Sequence, residues 1–424
     1  MSCQSLLKAS KAELEALEAQ LQAQYQEWCN RKLKLDMSRG KPAPDQLDIS
    51  MAALQGPTSW KSAANVDARN YGILDGLPEV KDFFAQALGI DSSRIIVGGN
   101  SSLNMMYDAI ARLMIKGTNG YTPWCKLDKV KFLCPAPGYD RHFAICEELG
   151  IEMITIPMTA TGPNMDIVEE LVANDEAIKG IWCVPLYSNP QGVCYSDETV
   201  KRIASMKCAA PDFRIFWDNA YGVHHLYEPV KLYDIFTACE EAGNPERAFC
   251  FFSTSKITFP GAGVAMMAAG PQSKAEILKN MGIQTIGFDK LNQLRTLEFL
   301  KDAATLTEQM KRQAALIRPK FELVLEILER ELGGTDLATW LNPKGGYFVA
   351  LDTLPGCAKA TLALAATAGV TMTGAGATFP YKKDPNDSNI RIAPTYPDLA
   401  ELKQAMELFC VCVKLAGVRN LLSK

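Results

Sequence analysis

The chain has 424 residues, of which 48% are hydrophobic and 22% charged, and its formal net charge at pH 7 is −4. The length exceeds one typical domain, and the acidic balance argues against nucleic acid or an anionic membrane as a partner. Without a leader-like start or an apolar run long enough to span a bilayer, the chain is expected to be a soluble, cytoplasmic protein.

The first third of the chain contains helix signals separated by turn clusters. A capping-box pattern, Ser10 with Glu13, predicts the start of an amphipathic helix. The Gly- and Pro-rich segment 36–45 that follows predicts irregular backbone. A second turn cluster, residues 70–79, leads into a further helix.

From Arg94 onward, short apolar runs alternate with amphipathic helices, which is typical of βα units. We therefore predict an α/β fold whose large domain contains a mostly parallel, seven-stranded sheet covered on both faces. The predicted strands are Ile95–Val97, Val130–Cys134, Met153–Ile156, Ile181–Pro185, Ile215–Trp217, Phe249–Phe252 and Val264–Ala268. The predicted helices between them are Ser102–Ile115, Asp140–Leu149, Met165–Ala173 and Asp197–Met206.

The last part of the chain predicts a smaller α+β domain. A helical pattern runs from Leu291 to about Leu332, and the glycine pair that follows ends it. Strands at Gly346–Leu351 and Ile390–Ala393 and a closing helix from Asp398 to about Leu415 come next. The predicted division is an N-terminal helix and loop that pack with the small domain (1–50), a large domain (51–305) and a small C-terminal domain (306–424).

The most informative stretch is Ala248 to Ala265, where a predicted strand ends in hydroxyls, one lysine and a glycine-rich turn. Delivering the Lys256 ammonium to the end of a buried strand is costly unless the site lowers its charge or uses the amine covalently. A lone S-x-S-K is more often a surface loop. A functional site is favoured here because ligands bind at the carboxyl ends of parallel strands, and four other strand ends carry matching groups.

Those four strand ends supply different chemistry. Residues 98–102 offer backbone amides and hydroxyls at a helix N-terminus, where anions bind. Residues 135–139 present an aromatic ring, and residues 188–192 supply an amide. Residues 218–221 combine a carboxylate with a phenol, and a buried carboxylate requires a cationic or hydrogen-bonding partner. With thirteen cysteines lacking a C-x-x-C pair and only three histidines, neither a metal site nor disulfides are expected.

Taken together, these motifs resemble the fold-type-I pyridoxal-phosphate aminotransferases of class I/II over nearly the whole chain, and a divergent bacterial-type subgroup of aspartate aminotransferases most of all. The resemblance implies pyridoxal 5′-phosphate as cofactor, held by Lys256 as a Schiff base, with Asp218 on the pyridine nitrogen. The implied catalytic residues are Lys256, Asp218 and Tyr221. The implied cofactor-binding residues are Gly99, Asn100, Ser101, Ser102, Tyr139, Asn189, Asp218, Tyr221, Ser253, Ser255, Lys256 and, across a dimer interface, Tyr71.

For the substrate, Arg391 matches the family arginine that takes the α-carboxylate in a two-pronged grip. Alone it would be interpreted as a sheet-edge arginine in an ion pair. Gly40 matches the loop glycine that closes over the substrate, and the implied substrate-binding set is Gly40, Asn189, Arg391 and Arg39. The contact to a distal carboxylate stays open between Arg39, Lys41, Lys290 and Arg295.

One departure concerns the cofactor phosphate. Most members of the family follow the lysine with P-G-x-R-x-G, whereas this chain has Gly263 in the position of that arginine. Either another basic residue replaces the arginine, or the amides and hydroxyls of the cradle hold the phosphate alone.

The resemblance implies ping-pong transfer of an amino group between an L-amino acid, with aspartate expected, and 2-oxoglutarate, in a homodimer with shared active sites. Another amino acid, aromatic or alanine, and a pyridoxal-phosphate lyase on the same fold remain alternatives. A transcriptional regulator that carries this fold would require a basic helix-turn-helix ahead of it, which residues before Gly40 do not resemble.

Overall fold

Helices and strands alternate along residues 5–424, the part of the chain that the computed structural model describes. The helices are α1 (Lys11–Asn30), α2 (Pro44–Asp48), α3 (Pro78–Leu88), α4 (Ser102–Lys116), α5 (Asp140–Glu148), α6 (Met165–Asn174), α7 (Asp197–Ser205), α8 (Ile235–Glu241), α9 (Pro271–Gln284), α10 (Lys290–Leu300), α11 (Ala303–Leu332), α12 (Ala358–Thr367) and α13 (Leu399–Leu422). The strands are β1 (Leu35–Met37), β2 (Ile95–Val97), β3 (Lys131–Ala136), β4 (Glu152–Thr159), β5 (Gly162–Pro163), β6 (Ile178–Cys183), β7 (Arg214–Asp218), β8 (Ala248–Ser253), β9 (Ala265–Ala269), β10 (Ala338–Trp340), β11 (Val349–Thr353), β12 (Val370–Met372) and β13 (Asn389–Ile392).

The large sheet has eight strands in the order β2-β9-β8-β7-β6-β3-β4-β5. Strands β4, β3, β6, β7 and β8 run parallel, and β9 is antiparallel to both of its neighbours. All seven predicted strands are present. The prediction of a seven-stranded sheet is wrong by one, because the two-residue strand β5 turns back onto the end of β4 and is too short to give a sequence pattern.

Both faces of the large sheet are buried. Along β7, Ile215 and Trp217 pack in one hydrophobic core and Phe216 packs in another on the opposite face. Successive side chains of a strand point to opposite faces, so a strand that is apolar at every position needs cover on both. Because these strands run parallel, their carboxyl ends lie at one edge of the sheet, where the polar motifs follow them.

A second, smaller lobe contains the antiparallel sheet β10-β11-β13 and the parallel pair β1-β12. Helix α1 packs against α13, and the predicted capping box forms, since the Ser10 hydroxyl and the Glu13 carboxylate each accept from the other's backbone N–H. The segment 36–45 is not wholly irregular as predicted. Strand β1 overlaps its start because it pairs with β12, a partner more than 300 residues away that no local pattern reveals.

The helical pattern predicted from Leu291 to Leu332 is two helices, α10 and α11. Asp302 separates them and caps α11, its carboxylate accepting from the Thr305 N–H at 2.8 Å. Leu306 of α11 packs in the core of the large sheet, whereas Phe321 packs in the small lobe. One helix therefore joins the two cores, and the division at residues 305/306 stays a proposal.

Strand β11 begins at Val349, three residues later than predicted. The backbone of Gly346 is left-handed, with φ at +83°, and a Cβ there would lie 2.9 Å from Cβ of Tyr187. This turn passes too close to the large lobe to be part of a strand. Within residues 5–424, no helix combines the length and hydropathy that crossing a bilayer requires.

Candidate active site

A cavity of about 160 Å³ lies between the two lobes at the carboxyl ends of the parallel strands. Phe348 closes it on the small-lobe side, and the side chain of Met106 borders it from α4. Most of the residues predicted for the site line this one cavity: Gly40, Ser101, Ser102, Tyr139, Asn189, Asp218, Tyr221, Ser253, Ser255 and Lys256.

Lys256 follows β8 and points into the cavity, with its Nζ 5.2 Å from the centroid of the Tyr221 ring. Burial lowers the pKa of the Lys256 amine, and the negative charge of Asp218 partly offsets this by raising it. Because burial is the larger effect, the neutral, nucleophilic form of the amine is more accessible than in a solvated lysine.

Asp218 ends β7 and is 2% exposed. Its Oδ2 lies 2.9 Å from Nε2 of His142, and an ionised carboxylate can only accept, so Nε2 carries the hydrogen. Its Oδ1 is buried and has no partner among the residues that the structure describes. One oxygen is therefore oriented by the protein, and the other is available to a donor in the cavity.

His142 was not predicted as a site residue. Its ring stacks on Trp182 with centroids 4.1 Å apart and planes 4° apart, which fixes its orientation toward Asp218. The one available signal was its spacing from Tyr139, since residues three apart share one face of a helix.

Two tyrosines complete the walls around Asp218. Burial raises the pKa of Tyr221 well above its usual value, and the nearby Tyr139 and Asp218 raise it further. Burial likewise raises the pKa of Tyr139, with Asp218 and Asp140 adding to the effect. Both phenols therefore stay protonated at neutral pH and can donate hydrogen bonds into the cavity.

An anion cradle forms where α4 begins. Ser101 caps the helix by accepting from the Leu103 N–H, and Ser101 and Ser102 at this helix N-terminus line the cavity. The Ser255 hydroxyl donates to the Asn100 carbonyl at 3.0 Å, and the Ser253 hydroxyl donates to Ser255 at 3.0 Å. Gly99 lies directly before this cradle and lines an adjoining cavity of about 370 Å³.

The glycine in place of the expected arginine does face the cradle. A Cβ on Gly263 would lie 3.1 Å from the Asn100 carbonyl oxygen and 3.1 Å from both N and Oγ of Ser255. Arg295 of α10 contacts the same turn, with Nη2 3.4 Å from the Ala262 carbonyl oxygen, and Asn292 donates to the Gly263 carbonyl at 2.9 Å. The backbone of Gly263 thus lies against the cradle, while the Arg295 guanidinium contacts the neighbouring Ala262 carbonyl.

Arg391 lies on β13 and is 7% exposed, unlike the surface arginine that its motif alone would suggest. Its guanidinium lies 4.8 Å from the centroid of the Phe348 ring, and Nη1 lies 3.4 Å from Oδ1 of Asn189. Gly40 packs against the same ring so closely that a Cβ would overlap Phe348. The N-terminal loop, the small-lobe strand and the Asn189 turn therefore meet around one buried cation.

The structure does not bring every predicted residue to the wall of this cavity, and Asn100 and Arg391 are near it without lining it. Arg39 is exposed and does not line it, and Lys41 stacks instead on Tyr396 with Nζ 3.9 Å from the ring centroid. Lys290 is buried and donates to the Gly72 carbonyl at 2.9 Å. Tyr71 is 81% exposed, away from the cavity of its own chain.

Burial and the Asp218 charge have opposite effects on the pKa of Lys256, and this can be tested in the protein without cofactor. Asp218→Asn removes the negative charge that raises the pKa of Lys256, so the amine should lose its proton at lower pH. We expect the pH profile of Lys256 modification by trinitrobenzenesulfonate to move to lower pH. Glu152→Gln, which removes a charge paired with Lys129 on the surface, should leave the profile in place. A shift to higher pH, or none, would contradict the proximity of the two groups.

Comparison with known proteins agrees with this geometry. The model of the aspartate amino-transferase family matches residues 9–424. A relative from Mycolicibacterium smegmatis is 48% identical over 428 residues, which are 100% of this chain and 99% of the relative. The aspartate aminotransferase of Corynebacterium glutamicum is 42% identical over 424 residues, covering 99% of this chain and 98% of that protein.

Solved structures give the same result. The crystal structure of an aspartate transaminase from Corynebacterium glutamicum superposes with a TM-score of 0.97 at 42% identity, covering 99% of this chain and 100% of that one. The α-aminoadipate aminotransferase of Thermus thermophilus, solved with N-(5′-phosphopyridoxyl)-L-leucine, has a TM-score of 0.73 at 21% identity and covers 93% of this chain and 95% of its own; it supports the fold alone. The chain is a fold-type-I aminotransferase and belongs to the aspartate amino-transferase family.

Proposed function

We propose that this aminotransferase uses pyridoxal 5′-phosphate to move an amino group from L-aspartate to 2-oxoglutarate in two alternating half-reactions. The observation that carries the proposal is that Lys256, with a lowered pKa, and the half-satisfied carboxylate of Asp218 line one cavity. A site with an activated amine and a free buried carboxylate oxygen fits a cofactor that carries an aldehyde and a basic ring nitrogen.

The residues fit this cofactor at each of its polar groups. Oδ1 of Asp218 would accept from the protonated ring nitrogen, and Tyr221 and Asn189 would hydrogen-bond the ring hydroxyl. Tyr139 would stack on the ring face. The phosphate would lie at the start of α4, held by the N–H groups and hydroxyls of Gly99, Asn100, Ser101, Ser102, Ser253 and Ser255. When bound, pyridoxal phosphate supplies an aldehyde that accepts the amino group and a ring that withdraws electrons from the substrate Cα.

The chain's own groups would carry out the remaining work. The neutral amine of Lys256 would take the proton from the substrate Cα and return it to the other reacting carbon. Asp218, oriented by His142, would keep the ring nitrogen protonated. Arg391 would grip the α-carboxylate, and Gly40 would let the N-terminal loop close over the substrate because it has no side chain to meet Phe348.

Aspartate is proposed as the amino donor because the relative with 42% identity over almost the whole chain is named an aspartate aminotransferase. Arg39 remains a proposed contact of the distal carboxylate from the loop that contains Gly40, while the buried Lys290 and the stacked Lys41 are less suited to reach a substrate.

A homodimer with shared sites is proposed from exposed apolar surface. Tyr71, Ile283 and Ile286 are 81%, 91% and 60% exposed. They lie in one region, since Lys290 donates to the Gly72 carbonyl and Gly282 faces Leu74. Apolar side chains grouped on a surface in this way favour contact with another protein. Tyr71 would then reach the cofactor phosphate of the neighbouring subunit.

Steady-state kinetics with a panel of amino acids test the substrate. We expect kcat/KM for aspartate to exceed that for alanine or an aromatic amino acid by at least about tenfold, with turnover that depends on added 2-oxoglutarate. An aromatic amino acid or alanine reacting faster would overturn the substrate assignment. Turnover without any oxo acid would instead favour a lyase.

Mixed dimers test the shared site. Tyr71→Ala and Lys256→Ala subunits, refolded together, would form hybrids in which one site has both native residues. Random pairing makes half of the dimers hybrid, so we expect recovery of roughly a quarter of the native activity. As a control, Tyr121→Ala changes another exposed tyrosine and should leave the activity at the native level, so there is no loss for a partner subunit to restore. Activity equal to the mean of the two variants measured separately would argue against sharing.

A further inference from the structure

The guanidinium of Arg391 is already engaged by a carboxylate of the protein. Nη1 lies 3.1 Å from Oδ1 of Asp140, a residue 251 positions away in sequence. Asp140 is the first residue of α5 in the large lobe, whereas Arg391 lies on β13 in the small lobe. The ion pair therefore crosses the cleft between the lobes at the point where a substrate carboxylate would arrive.

The other contacts of Arg391 leave little of the guanidinium free. Nη1 also contacts Oδ1 of Asn189, and Nε and Nη2 lie 3.4 and 3.3 Å from Oγ1 of Thr373. The Thr373 hydroxyl donates to the Ser38 carbonyl at 2.7 Å, which connects this edge of the guanidinium to the loop that contains Gly40. A two-pronged grip on a carboxylate needs two adjacent N–H groups, so one of these partners has to leave.

Asp140 is the partner best suited to leave. Asn189 is 4% exposed and Thr373 is held by Ser38, but the Asp140 side chain is 35% exposed and can turn toward solvent. Asp140 is also the only one of the three that carries a negative charge. It would repel an incoming carboxylate that shared the same guanidinium, while neutral Asn189 and Thr373 would not.

We propose that Asp140 is an internal competitor for the substrate-carboxylate site, which neutralises the buried Arg391 in the unliganded protein and is exchanged for the α-carboxylate of each substrate. This rests on the proposed function, in which Arg391 binds that carboxylate. A buried cation without a partner is costly, so Asp140 stabilises the empty cleft. The same pairing weakens the binding of every substrate, because each must first displace it.

Asp140→Asn tests the proposal, since asparagine keeps the shape of the side chain and removes its charge. The probe is maleate, a dicarboxylate without an amino or oxo group, titrated into the cofactor-loaded enzyme and followed by calorimetry. We expect its dissociation constant to fall by about two- to fivefold, as for loss of a partly exposed ion pair. The KM values of aspartate and 2-oxoglutarate should fall by a similar factor, with a smaller change in kcat, and the melting temperature of the unliganded protein should also fall.

Two further variants separate the possible failures. Glu152→Gln removes an equivalent charge from the surface pair with Lys129 and should change neither the maleate constant nor the KM values. Arg391→Ala should greatly weaken maleate binding, and adding Asp140→Asn to it should then have no effect on binding. If Arg391→Ala binds maleate as tightly as the unaltered enzyme, the proposed role of Arg391 fails. If that variant loses binding but Asp140→Asn alone leaves the dissociation constant unchanged or raises it, Asp140 orients Arg391 instead of competing, and only the present proposal is overturned.

Discussion

The arrangement of the whole site depends on one buried carboxylate. The Asp218 side chain is 2% exposed, and one of its oxygens lies 2.9 Å from Nε2 of His142, whose ring is fixed in turn by stacking on Trp182. The second oxygen has no partner among the described residues, and the residue lines the cavity. A charge held this way is available to a cationic group of a ligand and also sets the electrostatic environment of Lys256 across the cavity.

The fold brings these groups together through the geometry of a parallel sheet. Lys256 follows β8 and Asp218 ends β7, and these strands are neighbours with their carboxyl ends at one edge. The cradle at the start of α4 reaches the same edge because β2 runs antiparallel to β9, as β8 does. The small lobe then closes the cavity with Phe348 and supplies Arg391, so this buried cation and Lys256 come from different lobes.

Sequence patterns were sufficient for the groups that directly follow a strand. Lys256, Asp218, Tyr221 and the cradle serines could be placed together because a βα pattern predicts which ends share an edge. The groups that orient them could not be found in this way. His142 and Asp140 contact residues 76 and 251 positions away, and strand β1 depends on a partner near the other end of the chain. Proximity in sequence can also mislead. Arg39 directly precedes Gly40, yet Gly40 lines the cavity and Arg39 does not.

The most direct test of the account is chemical. Borohydride reduction of the cofactor-loaded protein, followed by peptide mapping, identifies the lysine to which the cofactor is joined. The account predicts a pyridoxyl group on Lys256, in the peptide that contains Ser253 and Ser255. A pyridoxyl group on a different lysine would contradict the pairing of Lys256 with Asp218 around one cofactor, and so would a protein that takes up no cofactor at all.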